Sequence, residues 1–586
     1  MRGTAHRAQF LSKKSAVAFV ALLAVAGLAW LSFRVAAMRI FSPDECWNMF
    51  QAHILGSGQT LGAKDGVDLF QVILSWLTRG ANRSIDVLAS GRFVVLELFW
   101  LNILLLAVAT GEKLFSARGA VAVLTAATLA PLWDYGIEIR PENLALTGML
   151  AIWCAVRAGQ PKSQIYFLAG AIAVIVQSAA LGSLVYFVPI SLGLLLCPPP
   201  GINAPRSRLA LLWFAGAFAA FLVVWLIYAT AGLSRIYFNN FHVGWSHSTG
   251  VRAIGWWSAL KGLLEEIPLL LALVAAGAVA IINAVRREGL SALQWHSFGP
   301  EAALLAAMFM MLVINPSLFP YNLLHLAPYG FLLAWRYGAV LWNYLSAQSA
   351  LQSVAILTMV FVHLVPFSTA ARQHSKWSNS RQERIMSLAE DLTDVKKDTV
   401  FDGAGMVSTR PMVDEQCRVN RLNGARLGKE ESRNVGDAFV KNSPAVIILS
   451  DRTDALFGKD LDLVRGNYVS LSDDLWVLGH VLPAGGGKIQ ILHAGRYYVG
   501  PMRGSNIAGT YTNDLQEWMH PTIDPPLSGT IDGQPIPDKP IQLSAGEHVV
   551  EVVAESRVAV VWVGPTAERP PRPGPADRGL LFVNWH

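Results

Sequence analysis

Up to about residue 367 the chain is a series of apolar runs of roughly 17 to 23 residues separated by short polar breaks. A helix rises about 1.5 Å per residue, so each run is long enough to cross a hydrocarbon core of ~30 Å. The pattern predicts helical spans near residues 15–34, 92–110, 118–134, 143–158, 164–180, 182–197, 209–230, 267–284, 300–315, 322–340 and 349–367. Two predicted outer loops are long, about 57 residues after the first span and about 36 after the seventh, which exceeds ordinary connections. The first of these holds two amphipathic stretches within 43–80. Trp47, Phe50 and Ile54 repeat at helical spacing in one, and Leu69, Phe70, Ile73, Trp76 and Leu77 in the other, as in helices lying in a membrane interface or packed on neighbouring spans.

Beyond residue 370 the pattern changes. Residues 371–486 mix a helical stretch, RIMSLAEDL, with an apolar run, AVIILSD, between polar turns, which predicts a small mixed α/β section. Residues 487–566 read as strands: KIQILHAGRYYVGPM, SGTIDGQPI with its Asp-Gly turn, and the alternating HVVEVV and RVAVVWV, which predict a β-sandwich. Residues 567–586 are proline-rich at their start and predict an extended tail. The expected class is a polytopic α-helical membrane protein, residues 1–370, carrying a C-terminal soluble domain.

Composition agrees with lipid as the solvent: 53% of residues are hydrophobic and 15% charged, against about one quarter charged in soluble domains. Arg2, Arg7, Lys13 and Lys14 precede an apolar run from Ser15 to Phe33, longer than the core of a cleaved signal, which predicts a retained first span. An odd number of spans puts the chain ends on opposite sides. Lys113, Arg118, Arg157, Lys162, Arg206, Arg208, Arg286 and Arg287 fall on the N-terminal side, which makes that side cytoplasmic and the soluble domain periplasmic or otherwise extracytoplasmic. Arg39, Arg79, Arg83, Arg140, Arg235 and Arg252 fall on the opposite side and so want a reason. The net charge of +6 is scattered between apolar spans rather than gathered in a stripe, which argues against nucleic acid as a partner. The four cysteines show no CxxC spacing; neither a zinc site nor a disulfide framework is indicated, a Cys46–Cys417 bridge being the pairing left open.

Four segments carry candidate chemistry. In Ser42-Pro43-Asp44-Glu45, two adjacent acids at the mouth of a span suit a general base or a cation ligand, while Ser42, Pro43 and Glu45 also spell a helix capping box. The capping reading accounts for Glu45 better than for Asp44. In the loop after the third span, Arg140 either pairs with Glu138 or Glu142 or meets an anion such as a phosphate, and Pro141-Glu142 also suits a helix start. The loop from Ser234 mixes Arg235, His242 and His247 with aromatics, fitting either a sugar-phosphate site or an interfacial aromatic belt. Tyr321 and His325 lie near the outer end of the tenth span, where a histidine is either functional or bonded to a neighbouring carbonyl.

The acidic pair after the first span, the interfacial helices, Arg140-Pro141-Glu142 in the second outer loop and the soluble C-terminal domain together resemble the GT-C superfamily of membrane glycosyltransferases. The layout is similar to the bacterial protein-mannosyltransferase and lipid A aminoarabinose-transferase type. That resemblance implies a polyprenyl-phosphate sugar donor, a glycan or glycolipid acceptor and inverting transfer on the outer face of a cell (inner) membrane. It implies Asp44 as the base with Glu45 beside it, and Arg140 as a donor-phosphate contact. Relatives differ in metal use, so a divalent cation at Asp44 and Glu45 stays open. A lipid-linked sugar flippase or a non-catalytic glycan-binding scaffold are the rival classes; the former more often shows matched halves, and the chain has no internal repeat.

Overall fold

A computed structural model describes the chain outside residues 1, 59–66, 158–161, 181–183, 197, 200–201, 203, 234–260, 262–263, 266, 290–302, 304–305, 307–322, 346–348, 412, 414–433, 451–460, 472–473, 502–526, 555–556, 572–580 and 583–586. The N-terminal part is helical: α1 (Arg2–Met38), α2 (Pro43–Gly56), α3 (Leu69–Leu77), α4 (Ser84–Ala109), α5 (Ala117–Ala127), α6 (Ala130–Tyr135), α7 (Glu142–Arg157), α8 (Gln164–Ala179), α9 (Leu184–Leu196), α10 (Arg206–Thr230), α11 (Pro268–Glu288), α12 (Leu323–Leu345) and α13 (Ser349–Lys376). Among the described residues, three helical stretches are long and apolar enough to cross a membrane: Phe19–Met38, Ser84–Ala109 and Arg206–Thr230. The solvent-facing side of α10 carries Leu211, Phe214, Phe218 and Val223, an apolar outer surface that suits lipid rather than water.

Small residues set the helix packing. A Cβ on Gly170 of α8 would collide with the Trp213 carbonyl of α10, and one on Gly216 of α10 with the Phe167 carbonyl of α8. The two backbones therefore touch at reciprocal glycines, as membrane helices do. The span expected at 118–134 is not continuous. α5 ends at Ala127, with Thr128 as its C-cap, and α6 restarts with Pro131 in its first turn, because proline lacks the N–H that would bond one turn back and its ring crowds that carbonyl. Most of the span expected at 300–315 lies outside the described residues.

The C-terminal part begins with α14 (Ser380–Asp391). A seven-stranded sheet runs β1 (Val400–Phe401), β2 (Val446–Ile448), β4 (Leu475–Leu482), β11 (Val558–Trp562), β6 (Gly495–Pro501), β9 (Ile541–Leu543), with β3 (Tyr468–Ser470) also on β4. A four-stranded sheet runs β5 (Gly486–Ile491), β10 (Gly546–Val553), β7 (Ser528–Ile531), β8 (Gln534–Pro535). Among the described strands, β1 and β2 are the one parallel pair. The strands of 371–486 and of 487–566 thus share one sheet through the β4–β11 pairing, so the boundary expected at 486 does not separate two bodies. Asp532 and Gly533, with φ of 50° and 77°, turn β7 into β8 as an Asp-Gly hairpin requires. The tail is not wholly extended: Leu581 and Phe582 are buried in the same core as the two sheets, since both are apolar and gain by leaving water.

That core does not stop at the domain boundary. It takes in Cys46 and Met49 of α2, Phe70 of α3 and Ile139 together with the sheet residues. Asn379 donates to the Met38 carbonyl (2.8 Å) and the Ala37 carbonyl (3.1 Å). Gln382 makes a two-bond amide clamp on Phe41, accepting its N–H at 2.8 Å and donating to its carbonyl at 3.0 Å. Glu390 of α14 accepts both the backbone N–H (2.7 Å) and the hydroxyl (2.6 Å) of Ser84 at the start of α4. The chain on either side of the acidic pair is therefore held by the C-terminal domain.

Candidate active site

The pair Asp44-Glu45 opens α2, and both halves of the capping box form. Ser42 Oγ accepts the Glu45 N–H at 3.3 Å, and Glu45 Oε2 accepts the Ser42 N–H at 2.8 Å. Adjacent helical positions point about 100° apart, so the two acids meet different surroundings. Glu45 is fully buried. Arg92 of α4 donates to it through Nε (2.8 Å) and Nη2 (2.9 Å), and the Ile139 N–H adds a bond at 3.2 Å. Burial alone would raise its pKa, but Arg92, then Arg39 and the Ser42 amide, hold the carboxyl below its ordinary value. Arg92 also donates to the carbonyls of Ala36 (3.2 Å), Arg39 (2.5 Å) and Ile40 (2.8 Å), closing the end of α1. The Phe41 ring lies 4.0 Å from its guanidinium carbon.

Asp44 faces outward, with about half of its side chain exposed. Its carboxylate meets Arg140 Nη2 at 3.2 Å. Arg140 is anchored through Nε to Glu138 Oε2 at 2.5 Å, and Arg39 Nη2 takes the other oxygen of Glu138 at 2.6 Å. Burial opposes the charge on Arg140, yet Glu138, Asp44 and Glu142 together lift its pKa well above the ordinary value. The loop carrying these residues is pinned by Asn48 to the Ile139 carbonyl (2.9 Å) and Asn143 to the Glu138 carbonyl (3.0 Å). Two of the outer cations that wanted a reason, Arg39 and Arg140, are accounted for by Glu138.

A polar face continues along α2 from Asp44 through Asn48 and Gln51, one and two turns on. Gln71 of α3 donates to Asn48 Oδ1 (3.0 Å) and Gln51 Oε1 (2.5 Å). Asp68, which caps α3 by accepting the Gln71 N–H at 2.7 Å, has its pKa pushed up to about 7, chiefly by burial. Glu142, first residue of α7, is raised above the ordinary value by burial too, Arg140 opposing and Asp44 and Glu138 adding to the rise.

The structure therefore brings Asp44 and Arg140 into contact, with Glu45 next to Asp44 in α2 and Glu142 two residues beyond Arg140 at the start of α7. His325 is fully buried inside α12, which packs on α6 and α7. Arg235, His242, His247 and Tyr321 lie outside the described residues. Glu138, which the sequence offers as a partner of Arg140, forms that pair; Arg39 and Arg92 complete the cluster, and the sequence signal for these two is an arginine at the edge of an apolar run, with nothing to name its partner. Among the described residues no group of three or more His, Cys, Asp or Glu side chains is arranged to hold a metal ion. Asp44 and Glu45 do not fit a shared cation, because each carboxylate is taken by a different guanidinium.

No protein-family model matches the chain, and no curated protein matches it. Among solved structures it is similar to the crystal structure of the Archaeoglobus fulgidus oligosaccharyltransferase in the apo form, with a TM-score of 0.46 and 12% identity, covering 86% of this chain and 76% of that chain. A likeness of that strength assigns neither an activity nor a substrate to this chain.

Proposed function

We propose that the protein is a polytopic membrane glycosyltransferase that moves a sugar from a polyprenyl-phosphate donor to a glycan or glycolipid acceptor on the extracytoplasmic face, with inversion. The observation that carries this reading is the half-exposed Asp44 carboxylate held against the Arg140 guanidinium at the end of the first apolar helix. Asp44 is the general base: it takes the acceptor hydroxyl proton as the oxygen attacks the sugar's anomeric carbon. Arg140 meets the donor phosphate and stabilises the charge that develops on it as the glycosidic bond breaks. Glu45, buried against Arg92, acts through the placement of Asp44 and not on substrate. The C-terminal domain supports the same site through Gln382 and Asn379.

The test is transfer by purified protein from a panel of polyprenyl-phosphate sugars to membrane-extracted acceptors. Asp44→Asn should lower turnover by roughly 10²- to 10⁴-fold with the fold intact. Normal transfer by a well-folded Asp44→Asn protein would remove Asp44 as base. The sidedness is tested separately: reporters fused after residue 375 and after Arg287 should read outside and cytoplasm respectively.

A further inference from the structure

We propose that Glu138 is a positioning residue that decides which edge of Arg140 meets an anion, so that a bound phosphate displaces Asp44 from Arg140. This rests on the reading of Arg140 as the phosphate contact given above. A guanidinium is planar with its N–H groups in a fixed fork, so a bond at Nε sets where the two Nη groups point. Glu138 makes that bond at 2.5 Å and has no exposed side-chain surface. Its neighbours Ile137 and Ile139 are fully buried, and the Ile139 N–H and C=O are tied to Glu45 and Asn48. Arg39 on the second carboxylate oxygen, at 2.6 Å, removes the freedom Glu138 would otherwise have to turn.

The bond on the other edge is different in kind. Arg140 Nη2 and Asp44 Oδ2 are 3.2 Å apart, longer than the roughly 2.7–2.9 Å of a strong charged pair, and Asp44 is half exposed where Glu138 has no exposed surface. An anion arriving from solvent competes with Asp44 for the Nη edge and not with Glu138 for Nε. Phosphate capture thus releases the carboxylate beside it. In the transfer reaction, the base would become available only once the donor is seated.

The test measures binding of geranyl phosphate, a soluble prenyl monophosphate, to the purified full chain in detergent, with inorganic phosphate as a second probe to separate headgroup from chain. Arg140→Ala should abolish the binding. Glu138→Gln should weaken it by about 10- to 100-fold, the loss expected of one charged hydrogen bond, and Glu138→Asp should recover part of it. Asp44→Asn, which removes the competitor, should tighten binding, and a role in folding alone would not produce that gain. If Glu138→Gln does not fold, Glu138→Asp tests the positioning, with affinity between wild type and Arg140→Ala expected and unchanged affinity overturning it, while the gain in Asp44→Asn tests the competition. Unchanged affinity in both variants, with Arg140→Ala still abolishing binding, would overturn the proposal while leaving Arg140 as the phosphate contact. No binding that depends on Arg140 would overturn both. Tightening in Asp44→Asn without any loss of transfer would keep the competition and remove Asp44 as base.

Discussion

Glu45 and Asp44 are neighbours in sequence, and the structure predicts very different consequences for changing each of them. Glu45 accepts four hydrogen bonds, two from Arg92 and one each from the Ser42 and Ile139 amides. Glutamine at 45 keeps the size but turns an NH2 group toward a buried guanidinium. Breaking a buried ion pair by removing one partner costs about 3–5 kcal/mol, since the other charge stays buried and unpaired. Loss of the capping box by itself would account for only about 0.5–2 kcal/mol. Asp44→Asn removes one exposed contact and should cost at most about 1 kcal/mol. Against a total stability of about 5–15 kcal/mol, Glu45→Gln is severe and Asp44→Asn is mild. The assay is thermal unfolding of the purified proteins in one detergent, read as a ranking because large membrane proteins rarely unfold reversibly. A double variant, Glu45→Leu with Arg92→Met, should recover part of the loss, limited by the three carbonyls of Ala36, Arg39 and Ile40 that lose Arg92. Equal unfolding of Glu45→Gln and Asp44→Asn would refute the reasoning, because it would mean that the Arg92 pair contributes nothing beyond a surface bridge.

Three further outcomes follow from the same contacts. Gln382→Ala leaves the Phe41 N–H and carbonyl without their partner, costing about 1–3 kcal/mol for each group, and should speed hydrogen exchange at residues 41–46 more than in β10 or β11. Asp68 has a folded pKa of about 7, above the aspartate value of ~3.9 expected when unfolded; its burial therefore subtracts stability progressively as pH rises from about 4 to 7. Asp68→Asn, which keeps the cap, should raise stability at pH 8, do little at pH 4, and flatten the pH profile of thermal unfolding between them. Gly216→Leu drives a side chain into the Phe167 carbonyl of α8, and should destabilise the protein by about 1–3 kcal/mol or more, seen as lost thermal stability with the Asp44 site otherwise unchanged.

Much of the architecture was legible from the chain alone where the cause is local. Runs of apolar residues predict helices because helix hydrogen bonds close within four residues, and Ser42-Pro43-Asp44-Glu45 predicts its own cap because all of the box lies within one turn. The Asp532-Gly533 turn follows in the same way from the backbone conformations those two residues tolerate. HVVEVV alternates between buried and exposed along β10, as its pattern predicts. β11 is different: Val558–Trp562 is buried at every position; β4 and β6 flank it, and at one end Trp562 donates to the carbonyl of Leu392, the residue that ends α14, at 2.7 Å. The break between α5 and α6 lay in plain view at Pro131, and hydrophobicity alone read across it.

The site divides along the same line. Residue types and their neighbours sufficed to single out Asp44, Glu45 and Arg140, since acids and an arginine beside apolar spans are costly and stand out. Nothing in the sequence says that Glu45 turns inward and Asp44 outward, for that depends on Arg92, 47 positions away, being brought under α2 by the packing of α4. Arg39 meets Glu138 across 99 positions, and Gln382 reaches Phe41 across 341. Such partners are chosen by how helices and sheets pack, and charge or hydrogen-bond capacity in a sequence carries no address. Local chemistry thus marked where charged groups stand beside apolar helices, while tertiary packing decided which carboxylate is buried as framework and which is left facing solvent.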